Sequence, residues 1–406
     1  MTAPEGQGGT PIRSIRRTAP ARSGVRPDAR WLLTVLALLI LASACGGVSK
    51  PQGFPEPQVE EDTLYVGLDA GKVAAVNAGD LSVAWEFPDG DNFACGDDKE
   101  SKHDLKSIYG APVIDGGAVY FSAYDGNVYA LDAQSGDCLW ESHKTDAEGV
   151  QCRNKEPEEP IVSGVLVHDG SVYVGSDDGQ IWGIDAETGT VETCRDVGGG
   201  VWSTPLFFDG AIYVATMKGK LWAVEPDDWN PKWLAPFEAE AGFLSDVVLA
   251  GDKILVGGIS QKMYAINAST GEPVWEFAGG NWFWGRPLVD GNTVFATNLD
   301  GKVYAIDLES GAAIWENNSF EAPEAIRAAP LLADGVLVVV DRGGNIYSLD
   351  PETGEVLKPS PSIIEKRVLA NPIEFDGDVL VVSQDGDLYR VKPTGDEAPR
   401  RIEVKQ

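Results

Sequence analysis

An eleven-residue pattern, Ala-x-Asp-x-x-x-Gly-x-x-x-Trp, recurs along this chain. It is complete from Ala130 through Asp132 and Gly136 to Trp140, and again from Ala305 through Asp307 and Gly311 to Trp315. With Asn267 in place of Asp it runs from Ala265 through Gly271 to Trp275, and a looser copy runs from Ala75 through Asn77 to Trp85. A chain that repeats itself in this way builds an array of like units, each burying its apolar faces against its neighbours.

Residues 111–142 show what one unit makes. Ala111-Pro112-Val113-Ile114 is a short apolar run, and Asp115-Gly116 is a turn. Ala118 to Ser122 and Val128 to Leu131 are two further runs, separated by Asp125-Gly126. A Gln134-Ser135-Gly136 turn then leads into Cys138-Leu139-Trp140. Asp-Gly between β-rich runs marks a hairpin, because both residues tolerate positive φ. Four short antiparallel strands joined by tight turns form one blade of a β-propeller. The Asp and Gly of the pattern thus read as turn chemistry and the Trp as a packing residue between blades.

The aromatic that closes each Gly-x-[Val/Ile/Leu]-[Tyr/Trp] step falls at Tyr129, Trp182, Trp222, Tyr264, Tyr304, Tyr347 and Tyr389, with Ala74 in the matching place of the first unit. The steps are 55 and 53 residues, then 40, 42, 40, 43 and 42. About 40–45 residues suit a four-stranded blade, so the two long steps carry insertions, at 88–109 and 143–160. The expectation is an all-β, eight-bladed propeller over residues 57–406 as a single domain. Arg401 to Val404 is the candidate last strand, and how the ring closes is left open.

Residues 1–44 read as an export signal. Arg13, Arg16, Arg17, Arg22, Arg26 and Arg30 precede an apolar stretch from Trp31 to Leu41, which is shorter than the roughly 20 residues of a membrane span. Leu41-Ala42-Ser43-Ala44-Cys45 then looks like a lipobox, with Ala42 where Leu is usual. The expectation is a lipidated Cys45 and a flexible tether over 45–56, giving an extracytoplasmic protein anchored to the cell membrane or outer membrane. Ordinary cleavage near Ala44 is the alternative.

Four cysteines remain: Cys95, Cys138, Cys152 and Cys194. An even count in an exported chain points to two disulfides. Three pairings are possible; Cys95 and Cys152 sit in the two inserted loops, which favours Cys95 with Cys152 and Cys138 with Cys194 as the expected pairs. Cys95, His103, His143 and Cys152 would also suit zinc by ligand type, but their spacing matches no standard site, and neither a metal nor a cofactor is expected. With 63 acidic against 32 basic residues the net charge is −31, and about −35 without residues 1–44. Such a surface excludes nucleic acid and a peripheral grip on anionic lipid.

The repeats resemble those of the PQQ-like β-propeller superfamily, over nearly all of the exported part. One branch is the quinoprotein alcohol dehydrogenases, which bind pyrroloquinoline quinone and calcium on the ring axis. Their adjacent Cys-Cys pair has no counterpart here, and these blades are mostly minimal. The other branch is the non-enzymatic propeller lipoproteins of the BamB type, with signal, lipobox, tether and one eight-bladed ring. The resemblance to that branch implies a monomeric ring, not an enzyme, whose loops dock a protein partner.

One rim stands out on the residues themselves. The segments before the innermost strands align as Tyr109-Gly110-Ala111-Pro112, Trp202-Ser203-Thr204-Pro205, Trp284-Gly285-Arg286-Pro287, Arg327-Ala328-Ala329-Pro330 and Leu369-Ala370-Asn371-Pro372. Trp, Tyr and Arg are enriched at binding hot spots. Tyr109, Trp202, Trp282, Trp284, Arg286 and Arg327 are therefore the expected partner-binding rim. A small ligand held by the same aromatics and Arg286 is the alternative.

Overall fold

The computed structural model describes residues 55–68, 71–89, 95, 105–142, 159–315, 320–357 and 361–402. The signal segment, Cys45, His103, His143 and Cys152 lie outside these.

Eight four-stranded antiparallel sheets follow one another, each a meander in chain order. They span residues 58–87, 113–141, 165–196, 206–238, 248–278, 288–321, 331–363 and 373–402, here blades 1 to 8. This is the all-β, eight-bladed propeller read from the repeats. The register is common to all blades. Ala74, Tyr129, Trp182, Trp222, Tyr264, Tyr304, Tyr347 and Tyr389 each pair with the fourth residue of their blade's second strand.

The eleven-residue pattern proves to be a latch between blades. Asp132 Oδ1 accepts from the N–H groups of Gln134 and Ser135 and so holds the turn; Asn267 does the same with Ser269 and Thr270. Gly136 is left-handed, with φ of 76°, and a Cβ there would stand 2.6 Å from the Trp85 ring of the preceding blade. Trp85 Nε1 in turn donates to the Ala133 carbonyl, next to Asp132, at 3.0 Å. The same indole-to-carbonyl bond joins Trp140 to Ala186, Trp233 to Ala268, Trp275 to Leu308 and Trp315 to Pro351. Each pattern thus gives its Trp to the next blade and receives the previous blade's Trp over its Gly.

Among the described residues, two junctions depart together at both positions. In blade 3, Thr193 takes the Trp place, paired with Gly183; in blade 4, Trp229 takes the Gly place with φ of 58°. Trp229 meets Tyr173 of blade 3 edge-on, with centroids 5.8 Å apart, where other blades pair that aromatic with their own Trp, as Tyr120 does with Trp140 at 5.9 Å. Arg195 of blade 3 donates to the Trp229 carbonyl. Between blades 8 and 1, Arg400 takes the Trp place, and Leu81, with φ of 60°, takes the Gly place and packs into the shared cluster.

The ring closes without a shared strand. The last blade takes its fourth strand, Arg400–Ile402, from the end of the chain itself. Leu64, Val66, Ala74 and Val76 of blade 1 pack against Leu380, Val382, Leu388 and Ile402 of blade 8.

The disulfide reading is corrected. Cys95 is bonded to Cys138, with Cα atoms 5.0 Å apart, so neither expected pair forms. Both cysteines belong to the core cluster between blades 1 and 2, so packing at one junction, and not the likeness of two inserted loops, chooses the partner. Cys194 is also disulfide-bonded. A bonded Cys95 supplies no thiolate, which withdraws it from the zinc set.

Candidate functional site

The lead-in segments converge on the ring axis. Proline at positions 57, 112, 205, 287, 330 and 372 biases the residue before it to extended backbone. Residues two apart in such a segment point the same way, and the lead-ins therefore stack in two tiers. The inner tier carries Glu56, Thr204, Asp246, Arg286 and Asn371. The outer tier, two residues earlier in each blade, carries Tyr109, Trp202, Trp284 and Arg327 among Val162, Leu244 and Leu369. Together they line one cavity of about 350 Å³ reached by all eight blades.

The inner tier is a closed polar set. Arg286 Nη2 donates to Glu56 Oε1 at 2.9 Å, and Asn371 Nδ2 donates to Glu56 Oε2 at 2.8 Å. Asn371 Oδ1 accepts from the Ala329 N–H at 2.7 Å, and Asp246 Oδ1 accepts from the Thr204 N–H at 2.7 Å. Burial works against the Arg286 charge, but the Glu56 and Asp246 carboxylates outweigh it, and its pKa stands above the ordinary guanidinium value. The Arg286 side chain keeps 44% of its surface because it faces the cavity, while Glu56 keeps 12%.

The outer tier is aromatic and cationic. The Arg327 guanidinium lies 3.9 Å above the Trp284 ring centroid, a cation–π contact strengthened by loss of water. Burial lowers its pKa to about 10, with the Tyr109 phenol acting in the opposite sense, so it stays charged at neutral pH. Burial likewise raises the Tyr109 pKa. Trp202 and Trp284 are tilted at 51° with centroids 6.4 Å apart, and Trp202 Nε1 donates to Asp177 Oδ1 at 2.6 Å.

The structure brings Tyr109, Trp202, Trp284, Arg286 and Arg327 to one mouth. Trp282 does not join them: it is 37% exposed and absent from the cavity wall, since it lies two residues before Trp284, ahead of the two tiers that line the cavity. Sequence reasoning missed Glu56 and Asp246. Glu56 was assigned to the tether, yet Pro55-Glu56-Pro57 is blade 1's copy of the x-Pro lead-in, the signal that finds it. The cavity thus offers two π faces, one guanidinium laid on an indole and another set in a carboxylate–amide pair. Among the described residues it holds no histidine; His168 lies in blade 3 against Phe207.

A family profile described as "Outer membrane protein assembly factor BamB" matches residues 50–191, 125–241, 229–367 and 299–398, which together cover most of the chain. Curated relatives include a 1-butanol dehydrogenase (cytochrome c) from Thauera butanivorans, 30% identical over 44% of this chain and 22% of that protein. They also include BamB of Yersinia pestis, 25% identical over 53% of this chain and 50% of that protein, and BamB of Xanthomonas campestris pv. campestris, 28% identical over 61% and 62%. The chain spans less than two thirds of the length of each. Among solved structures, BamB from Moraxella catarrhalis superposes with a TM-score of 0.60 at 17% identity, covering 82% of this chain and 92% of that one; at such identity the likeness speaks for the fold. On the profile match and the eight blades together, the chain belongs to the PQQ-like β-propeller family described as outer membrane protein assembly factor BamB.

Proposed function

We propose that this protein is a non-enzymatic, extracytoplasmic scaffold, anchored through Cys45, that holds a protein partner at its channel mouth in the assembly of envelope or outer-membrane proteins. The observation that carries the reading is the convergence of Tyr109, Trp202, Trp284, Arg286 and Arg327, from four blades, on one cavity. Large rings and guanidinium groups bury much area around a polar handle, which is what hot spots need. The family description and the two BamB relatives support an assembly role.

The dehydrogenase relative raises the opposite reading. The residues at the mouth do not fit a quinone with calcium. Among the described residues no three His, Cys, Asp or Glu side chains gather as a metal site, and the sequence has no adjacent cysteines. Dye-linked alcohol oxidation after addition of pyrroloquinoline quinone and calcium is the direct check, and none is expected. A cavity of about 350 Å³ also falls in the range of small-ligand sites, so a sugar or aromatic ligand at the same mouth is the second reading; it would quench or shift tryptophan fluorescence.

Affinity capture of the anchored protein from its own membranes tests the scaffold reading. Capture of an assembly protein by the wild type, lost with Trp284→Ala and Arg327→Ala together, is expected. Equal capture by the double variant would remove the mouth from the account.

A further inference from the structure

We propose that the channel mouth receives a carboxylate carried by an extended segment of the partner, and that Glu56 occupies this position until that segment arrives. The inference rests on the mouth being the partner-binding face.

The receptor is already visible with a carboxylate in it. Glu56 is held at both oxygens, by Arg286 of blade 6 and Asn371 of blade 8. A guanidinium beside an amide donor is a strong receptor for a carboxylate, because charge-assisted bonds to two oxygens fix orientation as well as energy. The two donors stand 230 and 315 residues from Glu56, so the ring itself builds the receptor. Asn371 is oriented independently, by the Ala329 N–H on its oxygen.

Glu56 can leave without moving the ring. Its backbone lies between Pro55 and Pro57, both buried, and Pro55 packs against Gly67, where a Cβ would collide with it. The polar bonds of the side chain beyond are those of its carboxylate, to Arg286 and Asn371, and a change of rotamer breaks both. Arg286 meanwhile presents 44% of its surface to the cavity, an approach open to a competitor. The route in passes Trp202 and Trp284, whose faces would flank an incoming chain. A cavity of about 350 Å³ admits a side chain and its neighbours, not a folded surface. A net charge of −31 repels acidic segments elsewhere on the protein, so the mouth, with Arg286 and Arg327, is where one would be received.

The test is calorimetric titration of the purified full-length protein with acetylated, amidated Trp-Pro-Glu-Pro and its Gln counterpart. The wild type should prefer the Glu peptide by about tenfold, the scale of one charge-assisted interaction. Glu56→Ala should tighten the Glu peptide by about a further tenfold and leave the Gln peptide unchanged. Arg286→Ala should abolish the preference; Arg286→Lys, which keeps the charge, should retain part of it and guards against a folding defect, with melting temperatures recorded for every variant. Equal affinity for the two peptides in both wild type and Glu56→Ala overturns the proposal, as does Glu56→Ala without a gain. Benzoate binding as tightly as the Glu peptide would make a free small carboxylate the ligand and overturn the peptide source. If Trp284→Ala with Arg327→Ala abolishes partner capture while no Glu preference exists, this inference falls and the scaffold reading stands. If capture survives that double variant, the mouth is not the partner face and that part of the scaffold reading falls.

Discussion

Between blades 2 and 3 an indole crosses forward: Trp140 leaves blade 2, lies over Gly189 and donates to Ala186 of blade 3. Between blades 3 and 4 the indole comes backward: Thr193 leaves the space and Trp229 of blade 4 turns into it. Five junctions use the forward arrangement and one the reverse. The comparison teaches that the ring filling such a junction can come from either blade. Glycine is required only where a neighbour's Trp arrives. Where none does, its place is free for a bulky residue, Trp229 or Leu81, despite positive φ. The reverse arrangement lacks the polar part: Trp229 Nε1 is buried without a hydrogen-bond partner, whereas every forward Trp donates to a carbonyl.

The largest break in this comparison is loss of the ring. Trp275→Ala should destabilise by about 4–5 kcal/mol, combining a cavity with an orphaned carbonyl. Trp229→Ala should cost about 1 kcal/mol less, since no hydrogen bond goes with it; urea unfolding followed by circular dichroism measures both, and equal losses would deny the difference between the junctions. Gly311→Ala should follow at about 3 kcal/mol, because its Cβ would stand 2.7 Å from Trp275 at a left-handed φ of 70°. Next comes Thr193→Trp, which crowds Trp229 and should lose about 2 kcal/mol. Adding Trp229→Gly to it should recover most of that loss by restoring the forward latch, and additive single effects in the double-mutant cycle would refute the exchange.

The smallest effect concerns the turn caps. Hydrogen bonds from Ser135, and from Ser310 in the matching turn, hold the Asp132 and Asp307 carboxyls below the usual carboxylate pKa. A depressed folded value means stabilisation present above the unfolded pKa, near 3.9, and lost as pH falls through the lower folded value. Asn267 makes the same turn without a charge. Asp132→Asn with Asp307→Asn should therefore barely shift the melting temperature at pH 7 and should lessen its fall between pH 5 and pH 2; an unchanged acid profile would speak against the caps.

The fold was legible because turn chemistry is local: Asp132, Gly136 and Trp140 lie within nine residues and announce a hairpin without help from the rest of the chain. The exchange at Thr193 and Trp229 was not, since each alone looks like a decayed repeat and only the junction makes sense of both. The Cys95–Cys138 bond was hidden for a similar reason, as it depends on which core the two side chains share. At the mouth, the x-Pro lead-ins announced Trp202, Trp284, Arg286 and Arg327. They did not announce Glu56, whose partners lie hundreds of residues away and whose neighbourhood reads as tether. Trp282 was misplaced because it was grouped with Trp284 by nearness in sequence, whereas it precedes the lead-in and lies outside the cavity wall.

Blades 1 and 8 are each complete, and at their meeting the described residues show side-chain packing and the Glu56–Asn371 bond in place of a shared sheet. In mechanical terms the protein is a split washer and not a welded hoop. Tension across the split is borne by side chains before any strand must part, and the Glu56 bond is a clip on its inner edge. A ligand that takes the place of Glu56 would open that clip and leave the packing of blades 1 and 8 to hold the split.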